Sequence, residues 1–181
     1  AIKSLDKKID EQLNKWGKEG YKNDKVNKKM QQKIGRLNNK ASKLRDIKGS
    51  FDEVITSKVM YYYSAQPNPN GAFKSGGSTY FNQDENRVET VFYSGNSATI
   101  VHETRHGAGY SRGEWGWDKE KNAPIYYDYQ DEYEAYKQEN NYADYFSDGI
   151  RRSQSQITNV IKFNYGNNPY IIKYFKQYCN C

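Results

Sequence analysis

The sequence predicts a mixed α+β fold in which a basic helical hairpin precedes a small, mostly antiparallel sheet and further helices. Apolar residues recur at helical spacing through residues 1–50, whereas β-branched and aromatic runs separated by turn-forming residues follow Gly49. The 181 residues are enough for one domain with an appended helical segment. We therefore expect a helical hairpin or spacer over residues 1–50 and the main folded domain over residues 51–181.

Two amphipathic helices are expected in the first fifty residues. The first has an apolar stripe made of Ile2, Leu5, Ile9, Leu13 and Trp16. The second has one made of Val26, Met30, Ile34, Leu37, Ala41 and Leu44. Gly17 and Gly20 interrupt the pattern between them, and Asp24 is suited to cap the second helix. The two helices form either a hairpin that docks on the rest of the chain or a spacer to a larger parent polypeptide.

The positive charge of the chain is concentrated in this predicted hairpin. Residues 1–50 hold 15 Lys and Arg against 6 Asp and Glu, and residues 51–181 hold 13 against 16. Such a basic segment suggests nucleic acid or an anionic membrane surface as a partner. It has no recognition motif and no cluster of stacking aromatic residues, so a solvated helix face is favoured over nucleic-acid binding. No apolar run approaches the roughly 18 residues of a transmembrane span, so we expect a soluble protein.

Three segments beyond Gly49 are rich in β-branched and aromatic residues and are predicted to be strands, namely residues 59–64, 78–81 and 87–93. Turn-forming residues separate them at 67–71 and 75–78. This alternation favours a small, mostly antiparallel sheet. We further hypothesise that the segment 87–93 is the sheet edge to which an extended peptide adds by backbone hydrogen bonds.

The segment after these strands carries the most specific pattern in the chain. Residues 94–97 offer an N-cap for a helix that Gly107 and Gly109 are expected to end. This helix contains His102-Glu103-Thr104-Arg105-His106, the pattern H-E-x-x-H, and its two histidines are the only ones in the chain. Positions i and i+4 share one face of a helix, so both imidazoles can reach a single metal ion.

The position of Glu103 in the H-E-x-x-H pattern predicts a catalytic role for its carboxylate. Glu103 directly follows the first histidine, where its carboxylate can reach a water on the metal without binding the metal itself. Zinc lowers the pKa of water from about 15.7 toward about 7, and a neighbouring carboxylate can accept the proton. His102 and His106 are therefore predicted to hold zinc, with Glu103 as the general base.

A third zinc ligand is expected to be a carboxylate, because a catalytic zinc usually has three protein ligands and the chain has no further histidine. Residues 128–140 are predicted to form a helix whose buried stripe is marked by Tyr129, Tyr133 and Tyr136. Glu132 lies at the edge of that stripe and is the preferred third ligand. The alternatives are the other acidic residues of the segment, Asp128, Asp131, Glu134 and Glu139.

Helical geometry separates the two central glutamates of this segment. Glu134 lies with Gln138 on an all-polar face that belongs in water, whereas Glu132 does not. Ala135, one turn beyond Glu132, is small enough to let this helix approach the H-E-x-x-H helix closely. The pattern therefore favours Glu132 over Glu134 as the residue that faces the metal.

These two segments together resemble a known family. Residues 99–110 contain H-E-x-x-H, and residues 132–140 contain E-x-x-A followed by a Glu-Asn pair. The combination is similar to that of gluzincin-type zincin metallopeptidases. Within them it is most similar to the HExxH domains at the carboxy-terminal ends of Rhs-type polymorphic toxins and related bacterial effectors. The matching stretch covers about residues 55–145.

The resemblance implies a zincin-like fold and zinc-dependent endopeptidase activity on a protein or peptide substrate. It implies that His102, His106 and Glu132 bind zinc and that Glu103 is the general base. It also implies a toxin or effector module exported or secreted from a bacterium, with an immunity protein or inhibitor as a further partner. Two other classes stay open: a basic nucleic-acid or surface-binding domain, and an inactive zincin fold used for binding.

Peptide hydrolysis also needs a hydrogen-bond donor for the tetrahedral oxyanion besides the metal. The candidates close to the two motifs are Tyr110, Arg112, Tyr129 and Tyr133. Trp115 and Trp117 lie between the two predicted ligand helices. They are expected either to line the site or to pack beneath the loop.

The end of the chain is interpreted as structural. Amphipathic helices are predicted from the apolar residues between Ile150 and Phe163, and again over residues 169–178. Arg151 and Arg152 are interpreted as exposed charge near a helix start. The only two cysteines, Cys179 and Cys181, are too few and too terminal to form a disulfide framework, and a frayed tail is the favoured interpretation.

Overall fold

A computed structural model of the chain describes residues 1–19, 24–65, 76–92 and 97–166. Within these ranges the chain combines α helices with short strands, which confirms the mixed α+β class. None of the helices in these ranges combines the length and the apolar character that crossing a membrane requires. Several predicted features lie outside the described residues: the turn at 67–71, the cap residues 94–96, the helix at 169–178, and the two cysteines.

The chain divides into two compact units, Ala1–Lys48 and Gly49–Cys181. The first unit contains α1 (Ile2–Glu19) and most of α2 (Asp24–Thr56). Trp16 Nε1 donates to Asn27 Oδ1 at 2.8 Å, and Arg45 forms an ion pair with Asp6. The two contacts join opposite ends of α1 to α2, so these helices form an antiparallel hairpin. Five buried residues of this unit belong to the predicted apolar stripes, namely Ile9, Met30, Ile34, Ala41 and Leu44, and Ile47 extends the second stripe by one turn.

Two glycines that the sequence analysis treated as boundaries lie inside helices. α1 continues through Gly17 to Glu19, and α2 continues through Gly49 to Thr56. A glycine inside a helix costs only about 1 kcal/mol relative to alanine. The hydrogen bonds and apolar contacts of the flanking turns outweigh that cost, so neither glycine ends its helix.

The three-stranded sheet consists of β1 (Tyr61–Ala65), β2 (Gly77–Asn82) and β3 (Arg87–Phe92), in the order β1-β3-β2. β2 and β3 are antiparallel and β1 and β3 are parallel, so the sheet is mixed rather than mostly antiparallel. The hypothesis that the third strand is the sheet edge was wrong, because β3 pairs on both sides. The local sequence marks the strands, but their order depends on long-range packing.

Three further helices build the second unit: α3 (Ser97–Arg112), α4 (Tyr129–Ala143) and α5 (Gln154–Tyr165). α3 packs against β2 and β3 and also against α4, and α4 packs against α5. Between α3 and α4, β4 (Gly116–Asp118) and β5 (Ala123–Ile125) form an antiparallel hairpin. The sequence predicts a loop in this region, so the hairpin is an unpredicted element.

Gly107 and Gly109 were expected to end α3, but the helix continues through both. Neighbouring side chains pack closely against the helix at these positions and leave no room for a larger residue. A Cβ atom on Gly107 would lie 3.2 Å from side-chain atoms of Tyr61 and Val54. α3 instead ends at Arg112, and the next residue, Gly113, has a φ of 73°. A positive φ is readily adopted only by glycine, so Gly113 provides the true helix stop.

Small side chains and tyrosines form the interfaces between these helices. Ala135 is fully buried, as its predicted role in close helix packing requires. Ile157 and Ile161 of α5 form a buried cluster. Partly buried tyrosines pack against that cluster, namely Tyr129, Tyr133, Tyr136 and Tyr165. This confirms the tyrosine stripe of α4. Phe163, expected on the apolar stripe of α5, is instead 83% exposed.

Candidate metal centre

Three buried side chains converge where α3 faces α4. His102 Nε2 lies 3.2 Å from His106 Nε2. Glu132 Oε2 lies 3.6 Å from His102 Nε2, and Glu132 Oε1 lies 3.6 Å from His106 Nε2. Two donors that each lie about 2.1 Å from a tetrahedral ion are separated by about 3.4 Å. These separations are close to that value, and one donor atom from each of the three residues lies within 4.8 Å of the others, so the group is able to hold a metal ion.

The local structure explains why these donors meet. His102 and His106 lie one turn apart on the buried face of α3, and Glu132 lies in the first turn of α4, the helix packed against it. Glu132 is 2% exposed, whereas an unpaired buried carboxylate would be strongly destabilising. The sequence analysis preferred Glu132 as the third ligand, and the structure brings it to both histidines.

The alternative acidic residues of α4 have other partners. Asp128 caps α4 by accepting the N–H of Gln130 at 2.7 Å, and Asp131 accepts the N–H of Asp128 at 2.8 Å. Glu134 accepts from the side chain of Gln130 on the exposed face of the helix. Hydrogen bonds therefore hold the carboxylates of these three residues away from the donor group.

The fourth alternative, Glu139, lies behind the donor group rather than in it. Its Oε2 is 3.5 Å from His102 Nδ1, on the ring edge that does not face Glu132. A carboxylate in this position fixes the tautomer and orientation of a metal-binding histidine. Among the described residues, Nδ1 of His106 is buried without a hydrogen-bond partner. The outer ring nitrogen of His102 therefore has a carboxylate partner, whereas that of His106 has none among the described residues.

The Glu-Asn pair at the end of the second motif holds Arg152. Glu139 Oε1 accepts from the Arg152 guanidinium at 2.7 Å. Asn140 donates to the Arg152 carbonyl at 2.7 Å and accepts from its N–H at 2.8 Å. The interpretation of Arg152 as exposed charge was wrong, because this arginine is fixed by both residues of the pair. A buried glutamate in the motif was the signal that a cationic partner is needed.

Glu103 is buried beside the donor group and is held from the side of the sheet. Thr79 of β2 donates from Oγ1 to Glu103 Oε2 at 2.8 Å. A Cβ atom on Gly77, also in β2, would lie 2.6 Å from Cγ and Oε1 of Glu103. The absence of a side chain at position 77 thus makes room for this carboxylate.

Several tyrosines near the donor group were missed by the sequence analysis. The Tyr127 hydroxyl donates to Glu132 in a short hydrogen bond and lies 3.4 Å from His106 Nε2. The Tyr165 hydroxyl also hydrogen-bonds Glu132. With 18 tyrosines in the chain, composition gave no signal that could single out these two.

The electrostatics of the group follow from burial and from the opposing charges. Burial is the largest influence on Glu103 and, with the neighbouring carboxylates, raises its pKa to about 7 despite His102 and Thr79. Burial lowers the pKa of His106. Burial acts in the same sense on His102, but Glu132 and Glu139 outweigh it and raise the His102 pKa. Burial opposes ionisation of Glu132, yet the two imidazoles lower its pKa.

The four residues expected to stabilise an oxyanion are not brought to the donor group. Arg112 forms ion pairs with Glu53 at 3.0 Å and Glu114 at 2.8 Å. Tyr110 stacks on Phe81 with ring centroids 6.0 Å apart. The other two belong to the α4 and α5 packing, where Tyr129 bonds Thr158 and stacks on Tyr133.

A cavity of about 700 Å³ opens onto the donor group. It is bounded by Gly76 and the first four residues of β2, by Ile150 ahead of α5, and by Val160 and Phe163 of α5. Trp115 and Trp117 both line it. Trp115 is also buried and donates from Nε1 to the His106 carbonyl at 2.8 Å. Trp115 therefore fulfils both expectations, since it lines the site and packs beneath it.

Comparison with models of known protein families, with curated proteins and with solved structures gave no match for this chain.

Proposed function

We propose that the chain is a zinc-dependent endopeptidase of zincin type, with His102, His106 and Glu132 as zinc ligands and Glu103 as general base. The observation that supports this best is the convergence of His102, His106 and Glu132, whose donor atoms lie within 4.8 Å of one another, beside a buried glutamate that does not belong to the donor set. A polar cluster with only a structural role would not need this glutamate, Glu103, as a fourth ionisable group at the edge of a cavity. The resemblance of both motifs to zincins favours the same function.

The donor set favours zinc over other common divalent ions. Two imidazole nitrogens and one carboxylate are typical of catalytic zinc, whereas magnesium and calcium prefer oxygen ligands alone. A set of three protein ligands also leaves one position open for a reactant. When bound, zinc acts as a Lewis acid that lowers the pKa of water to about 7 and polarises a carbonyl group.

In this proposal Glu103 accepts a proton from the attacking water. Its Oε2 is fixed by Thr79 at 2.8 Å, and its other oxygen, Oε1, lies over Gly77. A general base in this position takes up a proton from the water and then passes it to the leaving amine. Thr79 and Gly77 therefore act as positioning residues for this base.

Tyr127 is the residue best placed to stabilise the oxyanion. Its hydroxyl lies 3.4 Å from His106 Nε2 and bonds the Glu132 carboxylate, so it is adjacent to the proposed zinc position. Burial, followed by the charge of Glu132, raises the Tyr127 pKa well above 10, which keeps the phenol protonated as a donor. Tyr165 contacts the same carboxylate and offers a second hydroxyl.

An extended polypeptide is the substrate that the cavity fits. Among the strands of the described residues, β2 lies at an edge of its sheet, and it lines the cavity from Gly77 to Tyr80. An edge strand leaves backbone donors and acceptors free for pairing with an incoming chain. Addition of an extended peptide, first predicted at β3, is therefore proposed at β2. An exported or secreted bacterial toxin or effector with an immunity protein or inhibitor is the biological context we propose, and it rests on the resemblance alone.

The proposal is tested by the Glu103→Gln substitution in zinc-loaded protein. We expect the variant to retain zinc and to lose hydrolysis of a random-sequence peptide mixture, with cleavage products measured by mass spectrometry. Glu134→Gln, on the exposed face of α4, is the matched control and should cleave like the unsubstituted chain. Cleavage by the Glu103 variant would overturn its role as base, and no cleavage by the zinc-loaded parent chain would overturn the peptidase proposal.

A further inference from the structure

α5 has two apolar faces, one toward the core and one toward the cavity. Ile157 and Ile161 lie one turn apart and pack against partly buried tyrosines. Val160 and Phe163 share the second face, which lines the cavity together with Asn164. At 3.6 residues per turn, Phe163 points about 160° away from Ile161. Phe163 is 83% exposed, so its ring contributes little to the packing of the described residues.

Further apolar side chains border the same cavity. Ile150 precedes α5 and is 45% exposed. Trp117 and Pro124 are cross-strand partners in the β4–β5 hairpin, and both line the cavity. Single exposed apolar residues are ordinary, whereas several around one concave site mark a binding surface. We name these three residues, together with Val160 and Phe163, the apolar lining.

The charged side chains of the cavity are already committed to one another or to the donor group. Among the described residues that line it, and apart from the two histidines, they are Glu103, Glu132, Glu139 and Arg152. The three carboxylates are buried, and Arg152 donates to Glu139 at 2.7 Å. A charged substrate side chain in the apolar lining would lose its hydration without gaining an uncommitted opposite charge. The lining therefore favours an uncharged group.

The size and the surroundings of the apolar lining favour a single side chain of a bound polypeptide over a second protein surface. A stable protein interface buries about 800 Å² on each partner, whereas one aromatic side chain buries about 150–250 Å². Five side chains that are only partly or largely exposed match the smaller of these areas. β2 bounds the same cavity, and an extended chain paired with it would project side chains to both sides of its backbone.

We infer that the apolar lining is a specificity subsite, which binds one large aliphatic or aromatic side chain of the substrate next to the bond that is cleaved. The inference rests on the proposed peptidase function. Its support is continuity, because the cavity of about 700 Å³ that the lining borders also opens onto the donor group. The α5 part of the lining lies outside residues 55–145, the stretch that resembles zincins, so the resemblance does not supply it.

A set of peptides with one variable residue tests this subsite in the zinc-loaded full chain. Each peptide consists of glycine and serine around a single phenylalanine, leucine, alanine, glutamate or lysine. We expect cleavage next to phenylalanine and leucine with kcat/KM at least about 10-fold above that of the alanine peptide, because one methylene in an apolar pocket changes this ratio by about 10-fold or more. The glutamate and lysine peptides should be cleaved more slowly than the alanine peptide.

Variants of α5 connect the preference to the apolar lining. The double substitution Val160→Thr and Phe163→Ser should bring the ratio of kcat/KM for the phenylalanine and alanine peptides toward 1. Ile55→Ser is the matched control, because Ile55 is 77% exposed and is not among the described residues that line the cavity. It should keep the ratio of the parent chain. Phe163→Arg should raise cleavage next to glutamate, a gain that a merely structural role of Phe163 would not produce. Circular dichroism should show unchanged helix content in each variant.

A binding measurement separates failure of this subsite from failure of the peptidase proposal. Fluorescence anisotropy of the labelled peptides with zinc-loaded Glu103→Gln protein measures affinity without hydrolysis. Tighter binding of the phenylalanine peptide than of the alanine peptide, lost when the double substitution is added, supports the subsite even if the parent chain cleaves neither. Cleavage or binding without this preference, or a preference that the double variant retains, would overturn the subsite and leave the peptidase proposal intact. Absence of both cleavage and binding for every peptide would overturn both.

Discussion

The carboxylate of Glu139 lies 3.5 Å from Nδ1 of His102, while Nε2 of the same ring faces His106 and Glu132. This relationship fixes which nitrogen of His102 is available to a metal ion. Glu139 is in turn held by Arg152 at 2.7 Å, so the orientation of the ring depends on a residue outside α3 and α4.

Glu139→Gln should weaken zinc binding by about 10- to 100-fold, because an amide orients and polarises the imidazole less than a carboxylate does. The measurement is a competition between the protein and a chelator of known affinity. Glu134→Gln, on the same helix but bonded to Gln130 and Lys137 instead of a histidine, is the control and should leave zinc affinity unchanged. Equal affinities for the Glu139 variant and the parent chain would exclude this orienting role.

Gly77→Ala should reduce kcat by about 100-fold while leaving zinc content unchanged, since its Cβ would lie 2.6 Å from Glu103 and displace the base. The adjacent Gly76→Ala is a close control, because a Cβ there meets nothing within 4 Å. Steady-state kinetics of all three proteins give the comparison. If both glycine variants lose activity to the same extent, the contact with Glu103 is not the cause.

Tyr127→Phe should lower kcat by about 100-fold or more, because it removes a hydroxyl adjacent to the proposed zinc position. The same hydroxyl bonds the proposed ligand Glu132, so kcat is compared at full zinc occupancy, confirmed by elemental analysis. Tyr129→Phe removes a hydroxyl that bonds Thr158 instead, and it should leave kcat near the parent value. Full activity of the Tyr127 variant would exclude Tyr127 as the oxyanion donor. Tyr165→Phe would then be the next substitution to measure.

Acid should destabilise the protein partly through Glu89 of β3. The hydrogen bond from Tyr80 lowers the Glu89 pKa most, burial opposes it, and Arg87 and Asn82 lower it further. A depressed carboxyl pKa stabilises the fold above the unfolded value of about 4.5, and this contribution is lost as pH falls below it. Glu89→Gln should therefore flatten the decline of Tm below pH 4.5. The exposed Glu120→Gln should not, and equal slopes for both variants would contradict this assignment.

The part of the site that the sequence predicts is the part set by local geometry. His102, Glu103 and His106 lie within five residues of one helix, so their relative placement follows from helical spacing alone. Glu132 follows from the same periodicity applied to α4, because one edge of its tyrosine stripe must face the neighbouring helix.

The missed residues depend on long-range packing. Tyr127 lies between the unpredicted β4–β5 hairpin and α4, next to Tyr126 with its positive φ of 62°. Tyr165 reaches Glu132 only because α5 packs against α4. Arg152 precedes α5 and is fixed by side chains of α4. No periodicity marks such positions in advance.

Gln138 shows where the rule that polar faces point to water fails. The sequence analysis placed it in solvent, but it is buried, so that prediction was wrong. Ser50 donates to its carbonyl oxygen at 2.9 Å, and its amide donates to the Val101 carbonyl at 3.3 Å. A polar residue can be buried when partners satisfy it, and those partners are distant in sequence.

The zinc content of the loaded and desalted chain tests the central claim most directly. Elemental analysis should find about one zinc per chain, bound by two imidazoles and one carboxylate. His106→Ala should lose that zinc and unfold at a lower temperature, because metal binding contributes to the stability of the fold. A chain that retains no zinc, or a His106→Ala variant that retains as much as the parent, would contradict the metal centre described here.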